Sequence, residues 1–237
     1  MIVKTMRIHR FYFPETLQIK EKMVISDIRL VHQLTRVLRA QIVDQILLFN
    51  GQGSEAQAVI LAITSSEITV AIQDISEKPN QISRDVALYC ALLKRDNFEL
   101  VIQKATELGV GKIVPLLTHH VVKQGFRRDR LESIMLEAAE QCGRVRIPIL
   151  ESPVAFVDAL EKAKLHEQAF FCDIDAPALA NTKVQNNVGI FIGPEGGWAP
   201  EERDQAEQHN LIMTSLSPLT LRAETAALVA VHSLVNA

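Results

Sequence analysis

The chain has 237 residues, is 48% hydrophobic and carries a formal net charge of −3. That length is long for one ordinary domain and sufficient for two, each with its own core. No apolar run approaches the roughly 20 residues of a membrane helix, and Met1 to Arg10 lacks the apolar core of a signal peptide, so a soluble cytoplasmic protein is expected.

The first region reads as β-rich. Arg7 to Phe13 is a strand stopped by Pro14, and Ser26-Asp27 caps a helix predicted to reach about Arg39. Asp44 to Phe49, Glu55 to Thr64 and Glu67 to Gln73 are strands, with turns at Asn50-Gly51 and Ser65-Ser66. Short strands with tight turns predict a small barrel. The polar, proline-containing Glu77 to Gln81 marks the linker, so the domains are taken as 1–77 and 78–237.

Beyond the linker, strands alternate with helices. The predicted strands are Val86–Leu93, Lys112–Leu117, Ala169–Cys172, Val188–Ile192 and Ile212–Leu216. One helix ends at Leu108 before Gly109, with Asp96 and Glu99 read as its capping box. Others run over Asp129–Gln141, from Ser152-Pro153 onward, over Pro200–Gln208 and over Ala223–Val235. This order predicts an α/β fold with a mainly parallel sheet. The last helix contains Ala226 to Val231, apolar all round, and is expected to be buried on all sides and to form part of a dimer interface.

Charge is segregated along the chain. Residues 1–40 hold eight Lys/Arg against three Asp/Glu, whereas residues 149–237 hold five against twelve. An acidic chain arranged this way can still present a basic face to phosphate. The cysteines Cys90, Cys142 and Cys172 are odd in number and lack metal spacing; Cys142 is expected as a small buried thiol. His119-His120 would point to opposite faces of a strand, and no metal site is expected. Gly51-x-Gly53-x-x-Ala56 nearly matches a dinucleotide fingerprint, but a strand follows it rather than a helix, so it reads as a hairpin turn.

Two loops stand out. Gly193-Pro194-Glu195-Gly196-Gly197-Trp198 lies between a strand and a helix, where ligands bind in open α/β sheets. It is either a ligand loop or a tight connection. Leu216 to Ala226 has the same placement, and Arg222 within it is either a site residue or the partner of Glu224 in a salt bridge at the helix start.

These loops belong to a set of six motifs. The others are Arg7-x-His9-Arg10-Phe11, Leu34-x-x-Val37-Leu38-Arg39, Lys104 to Val110 and Glu137 to Arg144. In register they resemble the RsmE family, the 16S ribosomal RNA (uracil-N3)-methyltransferases of the SPOUT superfamily. Three places depart from the family pattern: His119-His120 replaces an acidic-basic pair, Ser217 replaces glycine, and Val31-His32-Gln33-Leu34 stands where two histidines are frequent.

The resemblance implies a PUA-like RNA-binding barrel followed by a SPOUT domain with a trefoil knot, in a homodimer. It implies S-adenosylmethionine as cofactor, held by Leu116, Thr118, Ile192, Gly193, Gly196, Leu216, Ser217 and Leu221. Arg222, Glu195 and Glu224 are the catalytic candidates. Arg7, Arg10, Arg36, Arg39, Lys94, Arg95 and Arg144 are candidates for RNA contact, with Arg127 and Arg128 beside them. The implied substrate is 16S ribosomal RNA within the small subunit. A SPOUT enzyme acting at another RNA site and a non-catalytic RNA-binding assembly factor are the alternatives.

Overall fold

The structure, a computed structural model, describes residues 8–77, 82–121, 125–179 and 182–237. The chain divides into two compact units, Met1–Gln81 with Ala139–Arg146, and Ile82–Ala138 with Ile147–Ala237. The grouping of Ala139–Arg146 with the first unit has no counterpart in the sequence reading.

In the first unit, β1 (His9–Tyr12), β2 (Lys20–Ile25), β3 (Gln45–Phe49), β4 (Ser54–Ile63) and β5 (Ile68–Glu77) form one sheet in the order β1-β3-β4-β5-β2. Phe11, Leu30, Leu34, Leu48, Ile60 and Val70 are buried in its core. The turn after β3 works as its residues dictate: Gly51 has φ 76°, and the Asn50 side-chain oxygen accepts from the Gln52 and Ser54 amides. Strand β2 was not expected. It is a charged edge strand whose Lys20, Glu21 and Lys22 are exposed, so no alternation marks it.

Asp27 does cap α1 (Ile28–His32), accepting from the Leu30 amide at 2.7 Å. The helix does not continue to Arg39 in α form. Gln33–Val37 is a turn of π-helix, and Arg39 closes it at φ 52°. Glu140 is the anchor from the second segment of this unit. It is 7% exposed and accepts from the Tyr12 amide, Arg29 and Gln33.

The second unit contains β6 (Asp85–Ala91), α2 (Arg95–Leu108), β7 (Lys112–Leu117), α3 (Arg128–Cys142) as far as Ala138, β8 (Ile149–Leu150) and β9 (Val154–Ala155). Then come α4 (Phe156–Ala163), β10 (Gln168–Cys172), β11 (Asn187–Ile192), α5 (Pro200–Gln208), β12 (Ile212–Thr214) and α6 (Ala223–Asn236). The strands are parallel, in the order β12-β10-β11-β6-β7-β8, with β9 also on β7. Strands β6 and β11 are buried along nearly their whole length. Their alternate residues feed two cores. Leu88, Cys90 and Ile190 face one, with Val101 and Val231; Ala87, Tyr89 and Phe191 face the other, with Phe156 and Leu160.

Several expectations are corrected. Asp96 and Glu99 form no capping box: α2 starts at Arg95 after Lys94, which makes no side-chain cap. Glu99 instead accepts from Arg130 at 2.7 and 2.8 Å and from Arg95. Gly109 does end the helix in the left-handed region, at φ 101°. Ser152-Pro153 does not begin a helix. The chain there returns to the sheet as β9, and the gap between β8 and β9 falls opposite Pro115, which lacks an amide proton. Helix α4 follows, with Ala155 before its first residue. Cys142 is exposed rather than buried. Helix α6 is not buried all round: Ala227, Ala230, Val231 and Leu234 are buried, Leu228 and Val229 half-buried, and Thr225, His232 and Asn236 exposed.

Leu88→Ala, at a side chain with no exposure, is expected to lower stability by about 2–5 kcal/mol in urea unfolding. Leu165→Ala, at a residue 79% exposed, is expected to change it by less than about 0.5 kcal/mol.

Candidate active site

The glycine loop leaves the carboxyl end of β11. Gly193 is required by close approach: a Cβ there would lie 3.0 Å from the Trp198 indole. Trp198 packs on Phe171, with ring centroids 4.5 Å apart, and its Nε1 donates to the Cys172 carbonyl at 3.0 Å. Gly197 turns the chain at φ 72°. The Ala199 amide then donates to Glu202 Oε2 at 2.9 Å, which ties off the first turn of α5.

The second loop leaves β12 and ends where Arg222 precedes α6. The Ser217 hydroxyl accepts from the Leu219 amide at 3.0 Å, a local turn that its side chain makes possible. Arg222 is exposed, and among the described residues no salt bridge joins it to Glu224. Glu224 is 8% exposed, and its Oε2 is buried without a hydrogen-bond partner among the described residues. A buried carboxylate oxygen left in this way is costly unless a ligand completes it.

Both loops line one cavity of about 870 Å³, near the upper end of the ~300–1,000 Å³ usual for small-molecule sites. Ile192, Gly193, Leu216, Ser217 and Leu221 are among its walls, as are Glu195, Arg222 and Glu224. Leu116, Thr118 and Gly196 are not. Leu116 is fully buried in the second core, and Thr118 Oγ1 is buried without a partner among the described residues. Gly196 faces His120. Glu195 is exposed and its Oε1 accepts from the Lys94 amide at 3.3 Å.

Other walls were not singled out from sequence: Asn97, Asp173 and Arg203. Asp173 and Arg203 pair at 3.2 Å. Asp173 follows β10 directly, so the strand-end rule would have found it. Burial pushes the Cys172 thiol up to about 11, and Asp173 adds to the shift. Burial also raises Cys90, with Glu195 and Glu224 pushing in the same direction, so both carboxylates act on the end of β6.

The candidate RNA-contact residues fall into distinct groups. Arg7 lies outside the described residues. Arg36 and Arg39 are exposed, and Lys94 is an exposed wall of the cavity. Arg95 pairs with Glu99 and borders a smaller cavity of about 240 Å³ that Arg127 also lines. Arg10 is engaged with Glu55, lies over the Phe49 ring and reaches the Arg144 carbonyl. Arg144 is 7% exposed, donates to the Arg146 carbonyl at 2.6 Å, and is lowered to about 10 by burial. His119 and His120 occupy a turn rather than a strand, with their rings perpendicular at 4.9 Å.

A glycine loop, a cationic loop and a buried acid thus meet at the carboxyl edge of the parallel sheet. The RNA methyltransferase domain family matches residues 80–235, and the RNA methyltransferase PUA domain family matches residues 29–73. The ribosomal RNA small subunit methyltransferase E of Rickettsia conorii is 31% identical over 95% of this chain and 94% of that protein. Its counterpart in Synechocystis is 34% identical over 90% and 73%. A methyltransferase of Legionella pneumophila solved with bound SAM has a TM-score of 0.89 at 29% identity, covering 96% of this chain and 97% of that one. The Neisseria gonorrhoeae ribosomal RNA small subunit methyltransferase E bound to S-adenosyl methionine gives 0.88 at 27%, covering 95% and 96%. The chain belongs to the ribosomal RNA small subunit methyltransferase E family.

Two outcomes are expected at this site. Gly193→Ala displaces Trp198, the single tryptophan of the chain, and changes its fluorescence. Alkylation of Cys172 by iodoacetamide is slow at pH 7–8 and accelerates as the pH approaches 11, because the thiolate is the nucleophile; mass mapping of the modified cysteine checks this.

Proposed function

We propose that the protein methylates N3 of a uridine in 16S ribosomal RNA of the small subunit, with S-adenosylmethionine as methyl donor. The observation that carries the reading is the single cavity in which Arg222 and the partnerless Glu224 oxygen lie beside the glycine loop. The residues fit the cofactor. Gly197 has open space where a side chain would stand, which leaves its backbone free for close approach, and acidic walls suit a cation. Ile192, Gly193, Leu216, Ser217 and Leu221 would hold it from the cavity wall. Leu116, Thr118 and Gly196 would contribute from the adjoining strand end and loop. When bound, it supplies an electrophilic methyl on a sulfonium.

The chain's own residues do the rest. The uracil N3 proton must leave before the nitrogen can take a methyl. Glu224 is the acceptor, since its Oε2 is shielded from water and engaged by no described group. Glu195 holds the Lys94 amide at the cavity mouth and is the second carboxylate available. Arg222, without an ion partner among the described residues, faces the charge that develops on the uracil oxygens. Arg36, Arg39, Lys94 and Arg95 position RNA through its phosphates. Arg7, Arg10 and Arg144 belong to the same basic set, the last two by shaping the first unit.

The same reading includes finer structure and context. The bulges of β4 against β5 support closure of the first sheet into a barrel. The insertion of β11 between β10 and β6 supports a trefoil knot in the second domain. The domains divide at 77/78. Among the described residues no helix is long and apolar enough to cross a membrane, and the protein acts in the cytoplasm. Leu228 and Val229 of α6, half-buried here, take part in a homodimer.

Glu224→Gln and Arg222→Ala are each expected to lower the methylation rate on small subunits on the order of 100-fold, with cofactor affinity changed far less. Nucleoside mass spectrometry identifies the product: 3-methyluridine supports the reading, another methylated nucleoside moves it to a different RNA site, and no product leaves an assembly factor. Arg36→Glu with Arg39→Glu is expected to weaken RNA binding at least about tenfold at low salt and to flatten its salt dependence, with calorimetric cofactor affinity unchanged. Equal loss of both affinities would overturn that division.

A further inference from the structure

The turn after β7 carries His119 and His120, which the catalytic reading does not use. It meets the glycine loop at two points. The His119 amide donates to Glu202 Oε1 at 2.8 Å, and Glu202 Oε2 accepts from the Ala199 amide at 2.9 Å. Glu202 is 7% exposed, so this carboxylate is a buried peg joining the turn to the first residue past Trp198. The second point is the imidazole. His120 Nδ1 lies 3.0 Å from the Gly197 carbonyl oxygen. A carbonyl only accepts, so Nδ1 carries the proton of this bond.

Packing fixes the contact further. A Cβ on Gly196 would sit 3.1 Å from the His120 Cβ. The imidazole therefore lies against the bare α-carbon of Gly196 while it holds the oxygen of Gly197. On the other side of the loop, Gly193, Glu195 and Gly197 line the large cavity, and Trp198 seals Gly193. The loop is clamped between the histidine turn outside and the indole inside. The Gly197 amide closes the loop on itself by donating to the Pro194 carbonyl at 2.9 Å.

We propose that His120 is a positioning residue for the cofactor loop: its imidazole latches Gly196-Gly197 from outside and so preorganises the backbone that binds S-adenosylmethionine. The inference rests on the methyltransferase reading for the identity of the ligand and on geometry for the latch. Preorganisation lowers the ordering cost at binding, so loss of the latch appears in cofactor affinity rather than in global stability. His120 is exposed, and its removal opens no core cavity.

The test compares the unsubstituted chain with His120→Ala, His120→Asn and His120→Phe. Asparagine places an amide N–H where Nδ1–H stands; phenylalanine fills the space without a donor. Two readouts are needed. One is acrylamide quenching of Trp198, the only tryptophan, without cofactor. The other is calorimetric titration with S-adenosylmethionine. Loss of one hydrogen bond predicts a Kd raised about three- to tenfold in the alanine and phenylalanine variants. The asparagine variant should return toward the original value. Quenching should increase in the first two and recover in the third, with unchanged urea midpoints. Parental affinity and quenching in the alanine variant would overturn the latch, as would failure of asparagine to rescue. If the unsubstituted chain does not bind S-adenosylmethionine, the cofactor reading fails, and the quenching series still decides whether His120 orders the loop.

Discussion

The site depends on the position of β11. This strand lies between β6 and β10 and is buried on both faces, so it contributes to both cores of the second unit. Parallel strands so enclosed have no solvated face, and the carboxyl ends are the places where the chain must leave the sheet. Ile192 is nearly fully buried, and the next residue is already a wall of the cavity. The glycine loop is therefore the exit of the best-held strand. Its precision comes from the sheet, and its openness from residues without side chains.

That origin explains what could be read in advance. Strongly apolar, parallel-paired segments such as Val188 to Ile192 and Val86 to Ala91 announce themselves through composition. Pro200–Gln208 also shows its start and end locally, with proline in the first turn. The elements that escaped depend on partners. Strand β2 is polar and exists because β5 offers an edge. Strands β8 and β9 have two residues each and follow β7 across the interruption at Pro115. Ser152-Pro153 has helix-start chemistry, yet the Ser152 hydroxyl accepts from Arg128 at 3.1 Å and the segment stays extended. Tertiary pairing there outweighs a cap worth about 1 kcal/mol.

The site was legible in a similar, partial way. Glycines at a strand end and a single arginine in an apolar loop mark the position from local sequence. The burial of Glu224 does not follow from sequence, because it depends on how the start of α6 packs in the fold. Strand β7 ends at Leu117, where the sequence places its end, so the alternation that separates adjacent side chains in a strand does not reach the histidine pair. In the turn that follows, the two rings come together and His120 reaches the glycine loop. A turn has no periodicity from which such a contact could be read, so it is visible only in the fold.

Cationic residues show the same dependence on context. Counting basic side chains in residues 1–40 gives an RNA-facing segment, but these groups are not equivalent once folded. Arg10 is mostly buried against Glu55 and Phe49, and Arg29 donates to Glu140 at 3.2 Å. A buried charge pair adds little net stability over apolar packing, but removing one member is costly. Reversal of Arg10 would place a carboxylate against Glu55 and disturb the first unit before any RNA arrived. Arg36 and Arg39 are exposed, and the π-turn and the left-handed Arg39 present them at the end of α1. Electrostatic attraction to phosphate is therefore separable from fold stability at Arg36 and Arg39, which take no part in the ion pairs that Arg10 and Arg29 make within the first unit.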